Sequence, residues 1–113
     1  MNPSVKATAP KEADIQKSIL EWLNLRGHFV WRNNTGAYVG KYKGKSRFFR
    51  FGMKGSSDIV GVAANSGKLI AIEVKCFGKT PTPDQMIFLK RVKSNNGIAC
   101  IANSIDDVIA VGL

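Results

Sequence analysis

Apolar residues recur at Ile15, Ile19, Trp22 and Leu23, a three-and-four spacing that lines one face of a helix from about Lys11 to Arg26, with Gly27 ending the run. Phe29-Val30-Trp31 then reads as a short strand. Gly36, Gly40 and Gly44, separated by tyrosine and lysine, mark a loop or hairpin; Ser46 to Phe51 forms its second arm, closed by Gly52 and Gly55. Asp58 to Val62 is a strand, Asn65-Ser66-Gly67 a tight turn, and Leu69 to Lys75 the most apolar strand of the chain. Thr82 is placed to cap a helix that has Pro83 at its first position and runs to about Ser94, before Asn95-Asn96-Gly97. Ile98 to Ala102 is a further buried strand. Ser104 caps a short last helix with Asp106 and Asp107 in its first turn, where the helix dipole favours them.

This order of elements predicts an α/β fold, a mixed sheet with helices packed on it. Residues 1–10 read as a flexible N-terminal arm and residues 11–113 as a single domain. With 113 residues, 44% hydrophobic and 22% charged, the chain is too apolar for disorder. No apolar run approaches the roughly 18–20 residues of a membrane span, and no hydrophobic stretch follows the N-terminus as a secretory signal requires. Cys76 and Cys100 each lie in apolar runs and read as small core residues of a reducing compartment; with His28 the sole histidine, a structural zinc site is disfavoured.

Charge changes the picture. A net charge of +9 favours a polyanionic partner, most simply nucleic acid. From Trp22 to Ser57 there is no carboxylate, yet Arg26, Arg32, Lys41, Lys43, Lys45, Arg47, Arg50 and Lys54 fall there, interleaved with Tyr38, Tyr42, Phe48, Phe49 and Phe51. A solvated hairpin kept soluble by its lysines is one reading. Contact with phosphates accounts better for six cations in the fourteen residues from Lys41 to Lys54.

The acids then become informative. Between Trp22 and Pro83 only Asp58 and Glu73 occur. Strand alternation puts Leu69, Ala71, Glu73 and Lys75 on one face, with the α-carbons of Glu73 and Lys75 about 7 Å apart. An ion pair at a sheet edge would satisfy Glu73, and so would a metal ion. If residues 65–67 turn a hairpin, Asp58 and Glu73 become neighbours, and two carboxylates with backbone oxygens make a hard site suited to Mg²⁺ or Mn²⁺. Lys75 would orient the attacking water or neutralise phosphoryl charge. Glu12 begins the apolar stripe of the first helix, whereas Asp14 and Glu21 lie off it. Gln85 shares the stripe of Phe88, Leu89 and Val92, although a capping box with Thr82 would by itself account for a glutamine there.

Taken together, Glu12-x-x-Ile15-Gln16-x-x-Ile19, Trp31-Arg32-x-Asn34-Thr35-Gly36, Lys54-Gly55-x-x-Asp58-Ile59, Ile72-Glu73-Val74-Lys75 and Thr82-Pro83-x-Gln85 resemble the PD-(D/E)xK nuclease superfamily. More narrowly, the chain resembles a stand-alone VRR-NUC domain (virus-type replication-repair nuclease), from Glu12 to about Val111. Ser57 departs from the pattern, which usually has proline before the aspartate. The resemblance implies a restriction-endonuclease-like core with a central mixed β-sheet flanked by helices. It implies Asp58 and Glu73 as metal ligands with the Val74 carbonyl a third, Lys75 as the catalytic lysine, and Glu12 and Gln85 as supporting active-site residues. It also implies Mg²⁺- or Mn²⁺-dependent hydrolysis of DNA phosphodiesters, similar to Holliday-junction resolvases acting as homodimers on branched DNA. Arg32, Lys41, Lys43, Lys45, Arg47, Arg50 and Lys54 would then bind the DNA. The setting implied is the cytoplasm of a bacterial host, with the gene carried by a phage or mobile element. A DNA-binding module that does not cleave, and a sequence-specific restriction-type endonuclease, are the alternatives; RNA is a more remote one.

Overall fold

The computed structural model describes residues 11–113, so the N-terminal arm expected for residues 1–10 lies outside the described residues. Among the described residues three helices, α1 (Glu12–Leu25), α2 (Pro83–Ser94) and α3 (Ile105–Ala110), accompany six strands. These are β1 (Phe29–Arg32), β2 (Gly36–Tyr42), β3 (Lys45–Phe51), β4 (Ile59–Val62), β5 (Leu69–Val74) and β6 (Ile98–Ala102). Four of the strands form one sheet in the order β1-β4-β5-β6. β4 and β5 are joined by the turn at residues 65–67 and pair antiparallel, while α2 carries the chain across to β6, which pairs parallel to β5. The sheet is therefore mixed, as expected.

Helices cover the sheet on both faces. Ile15, Ile19 and Leu23 of α1 and Val108 of α3 pack on Ile70, Ile72 and Val74. On the opposite face Leu89 and Val92 of α2 pack on Ala71 and Ala99. β5 is thus covered on both sides, and every residue after Leu69 is buried. Each fully buried isoleucine stabilises the fold by about 1.5–3 kcal/mol, which makes β5 the energetic centre of the domain. It is an interior strand, not the sheet edge on which an exposed Glu73–Lys75 pair would sit.

Gly36 to Phe51 form a separate two-stranded sheet, with a two-residue turn at Lys43 and Gly44, both at positive φ. Such turns match the right-handed twist of a hairpin. Residues 41–50 are exposed throughout, so the turn end of this ribbon projects into solvent.

Two local expectations are corrected. Ser104 occupies the N-cap position of α3 but makes no side-chain cap hydrogen bond; the Asp107 carboxylate instead accepts from the Asn103 amide at 2.9 Å. Cys100 is buried, and burial pushes its thiol up to about 11, whereas Cys76 is only half-buried. Among the described residues, no helix is long and apolar enough to cross a membrane.

Candidate active site

The β4–β5 register sets Ile59 opposite Ile72, which brings Asp58, one step before β4, alongside Glu73. The Val74 amide donates to Asp58 Oδ2 at 2.8 Å, and the Asn33 amide donates to the Asp58 carbonyl at 2.7 Å. Asp58 is thus held from both neighbouring strands. Asn33 also donates through Nδ2 to Ser56 Oγ and the Ser57 carbonyl, fixing the loop that leads into Asp58. Gly55 lies in that loop, where a Cβ would come within 2.7 Å of the Asp84 backbone, so only glycine lets the loop sit against α2.

Glu73 is 1% exposed. Its Oε1 accepts from Gln85 Nε2 at 2.8 Å and pairs with Lys75 Nζ at 3.4 Å. Among the described residues its buried Oε2 has no hydrogen-bond partner. The Glu73 carboxyl is raised to about 7, first by burial and then by the nearby Asp58 carboxylate, with Lys75 opposing both. A buried carboxylate beside a second carboxylate, with one oxygen unsatisfied, is a costly arrangement that a cation would relieve.

Gln85 serves two purposes at once. Its Oε1 accepts from the Thr82 amide at 2.8 Å while Thr82 Oγ1 accepts from the Gln85 amide, completing the capping box. Its Nε2 then points to Glu73, and one orientation of the amide satisfies both contacts. The helix cap and the acid cluster therefore share a residue.

Glu12 is half-buried at the start of α1, and its Oε1 accepts from the Cys76 amide at a long 3.5 Å. It lies beside the end of β5 and does not complete a third acidic position: among the described residues no group of three or more His, Cys, Asp or Glu is placed to hold a metal. The oxygens brought together are those of Asp58 and Glu73, with the Val74 backbone between Glu73 and Lys75. This oxygen-only set fits a hard divalent cation.

The basic candidates divide. Lys41, Lys43, Lys45, Arg47 and Arg50 are exposed on the β2–β3 ribbon; Arg47 and Lys43 lie over the Tyr42 ring at 5.3 and 5.6 Å, and Arg50 over Phe48 at 5.4 Å. Arg32 is exposed at the end of β1. Lys54 differs, because Asp84 of α2 pairs with it at 3.3 Å and supplies the acid that the neighbouring sequence lacks. Asn33 was missed by the motifs. Its signal was positional: it follows a strand that pairs with the one led by Asp58.

The fold is thus an α/β domain, a mixed sheet between helices, with two carboxylates, a lysine and a glutamine at one strand end. The family model of the VRR-NUC domain matches residues 10–106, and the chain belongs to that family, whose members are PD-(D/E)xK nucleases acting on DNA. A solved structure described as a VRR_NUC domain is similar in fold, with a TM-score of 0.62 at 22% identity over 91% of this chain and 95% of its own. No curated protein matches the chain.

Proposed function

We propose that residues 11–113 form one metal-dependent, structure-selective endonuclease domain that hydrolyses phosphodiesters in branched DNA, in the manner of a Holliday-junction resolvase. The observation that carries this reading is the Glu73 carboxylate, buried beside Asp58 with Oε2 unpartnered among the described residues. Asp58, Glu73 and the Val74 carbonyl would hold Mg²⁺ or Mn²⁺, which when bound polarises a phosphodiester and lowers the pKa of water.

The chain's own residues supply the rest. Lys75, only partly exposed, carries a positive charge 3.4 Å from Glu73 and would neutralise charge developing on phosphoryl oxygens. Gln85 fixes the Glu73 rotamer through Nε2. Glu12 braces the chain just past Lys75 through the Cys76 amide. Lys41, Lys43, Lys45, Arg47 and Arg50 on the ribbon, with Arg32 and Lys54 nearer the core, would neutralise phosphates on either side of the cut. One such domain has one site, and two symmetric cuts across a four-way junction require a two-fold homodimer.

The test is a labelled four-way junction and its matching linear duplex, incubated with Mg²⁺, Mn²⁺ or EDTA beside Glu73→Ala. Paired symmetric nicks on the junction are expected, abolished by EDTA and reduced on the order of 10³-fold or more by the substitution. Tight binding with no cleavage in either metal would make the protein a recognition module. Cleavage that follows sequence on the linear duplex would make it a restriction-type enzyme.

A further inference from the structure

Phe77 is 94% exposed, two residues beyond Lys75. Single apolar side chains on a surface are ordinary, but three observations set this one apart. The backbone around it is closed: the Lys79 amide donates to the Cys76 carbonyl at 3.0 Å, and Gly78 has φ +87°. Residues 76–79 therefore form a hydrogen-bonded turn with Phe77 at its second position and glycine at the third, where the left-handed conformation is required. The ring is carried on a fixed turn that aims it at solvent.

Cations outnumber acids along this stretch of sequence, although Lys75 is paired with Glu73 at 3.4 Å and Glu12 Oε1 accepts from the Cys76 amide. Lys75 and Lys79 bracket Phe77, and no acid occurs between Glu73 and Asp84 in the sequence. Its position is the third observation. The turn joins the strand end that carries Glu73 to the helix start that carries Gln85, and the α-carbon of Phe77 lies within about 7 Å of that of Lys75. That span is about two base steps along one DNA strand.

We propose that Phe77 is a stacking platform for an unpaired nucleobase next to the cleavage position, and that it favours branched over continuous duplex DNA. The proposal rests on the nuclease reading for the identity of its substrate. Bases inside a duplex are covered on both faces by their neighbours and offer nothing to the ring. A base splayed out at a branch point exposes one face, and an aromatic side chain flanked by lysines recovers its stacking while the cations hold the adjoining phosphates.

The test reads binding by fluorescence anisotropy in EDTA, with a labelled four-way junction and a linear duplex of the same sequence. Wild type is compared with Phe77→Ala, Phe77→Leu and Phe77→Trp, and with junctions carrying abasic sites at the branch point. Phe77→Ala is expected to weaken junction binding about tenfold, within the fivefold to hundredfold range of one lost stacked base. Duplex binding should stay within about twofold, Phe77→Trp should retain junction affinity, and Phe77→Leu should behave like alanine. The abasic junction should weaken wild type yet make no further difference to Phe77→Ala. Equal losses on both DNAs, or losses from substitution and abasic site that multiply, would overturn the proposal. So would a Phe77→Ala protein whose sedimentation mass falls from dimer to monomer, since the ring would then seat against a second copy. The side chain is exposed, so these variants keep the fold. Because binding is read without metal, a wild type that never cleaves would end the nuclease reading and leave the stacking result to stand or fall separately.

Discussion

Glu73 concentrates the chemistry of the molecule in one side chain. Buried in the strand that contributes most to the core, it keeps a proton that an exposed glutamate would lose: its carboxyl is raised from 4.5 to about 7. The consequence for stability has a definite sign. Between those two values the folded chain binds more protons than the unfolded chain, so stability falls as pH rises. The contribution is fully present below about pH 4.5 and lost above about pH 7, on the order of 3 kcal/mol in all. Denaturant titrations of the metal-free protein from pH 4.5 to 8 should show this decline, and Glu73→Gln should flatten it. A wild-type stability that rises through this interval would contradict the burial argument. At this scale the sequence was informative where a residue broke a pattern, as Glu73 did in an apolar strand. It was ambiguous for Gln85, because spacing alone cannot reveal that one amide serves both a cap and a carboxylate. Ser57 shows the limit from the other side: among the described residues its buried hydroxyl has no partner, a feature of tertiary burial that no local pattern records.

At the scale of elements, hydrophobic period and turn chemistry located helices and strands to within a residue or two, since each rests on local spacing, caps and glycines. The β2–β3 ribbon was read as a loop or hairpin, but its separation from the main sheet was not legible, because both of its faces mix aromatic and basic residues. A two-stranded ribbon alone in water is marginal, and this one has cations resting on its own exposed rings. Replacing Lys41, Lys43, Lys45 and Arg47 with glutamine should lower the slope of log affinity against log salt by about one for each residue that touches a phosphate. Thermal unfolding of the main sheet should hardly change, as the four replaced residues are exposed and belong to neither core cluster. An unaltered salt slope would move DNA contact elsewhere.

For the whole molecule, the order of elements implied a mixed sheet between helices, and the residues of the candidate site are spread from position 12 to position 85. They meet because β5 is central: β4 brings Asp58 from one side, α2 brings Gln85 from the face above, and α1 brings Glu12 to the strand end. Motif order could name these residues but not their contacts, which depend on the register of β4 against β5 and on the packing of a loop against α2. The proposed two-fold assembly belongs to this scale as well. Sedimentation at micromolar concentration should give twice the chain mass; a monomer mass with and without junction DNA would refute it.

The shared role of Gln85 has one more consequence. First turns of helices fray far more readily than a domain unfolds, and here the first turn of α2 holds the amide that orients Glu73. Loss of that single turn removes the Gln85 contact and leaves Glu73 Oε1 with Lys75 as its partner while the sheet stays intact. The orientation of the carboxylate thus depends on a helix end as well as on the strand that carries it.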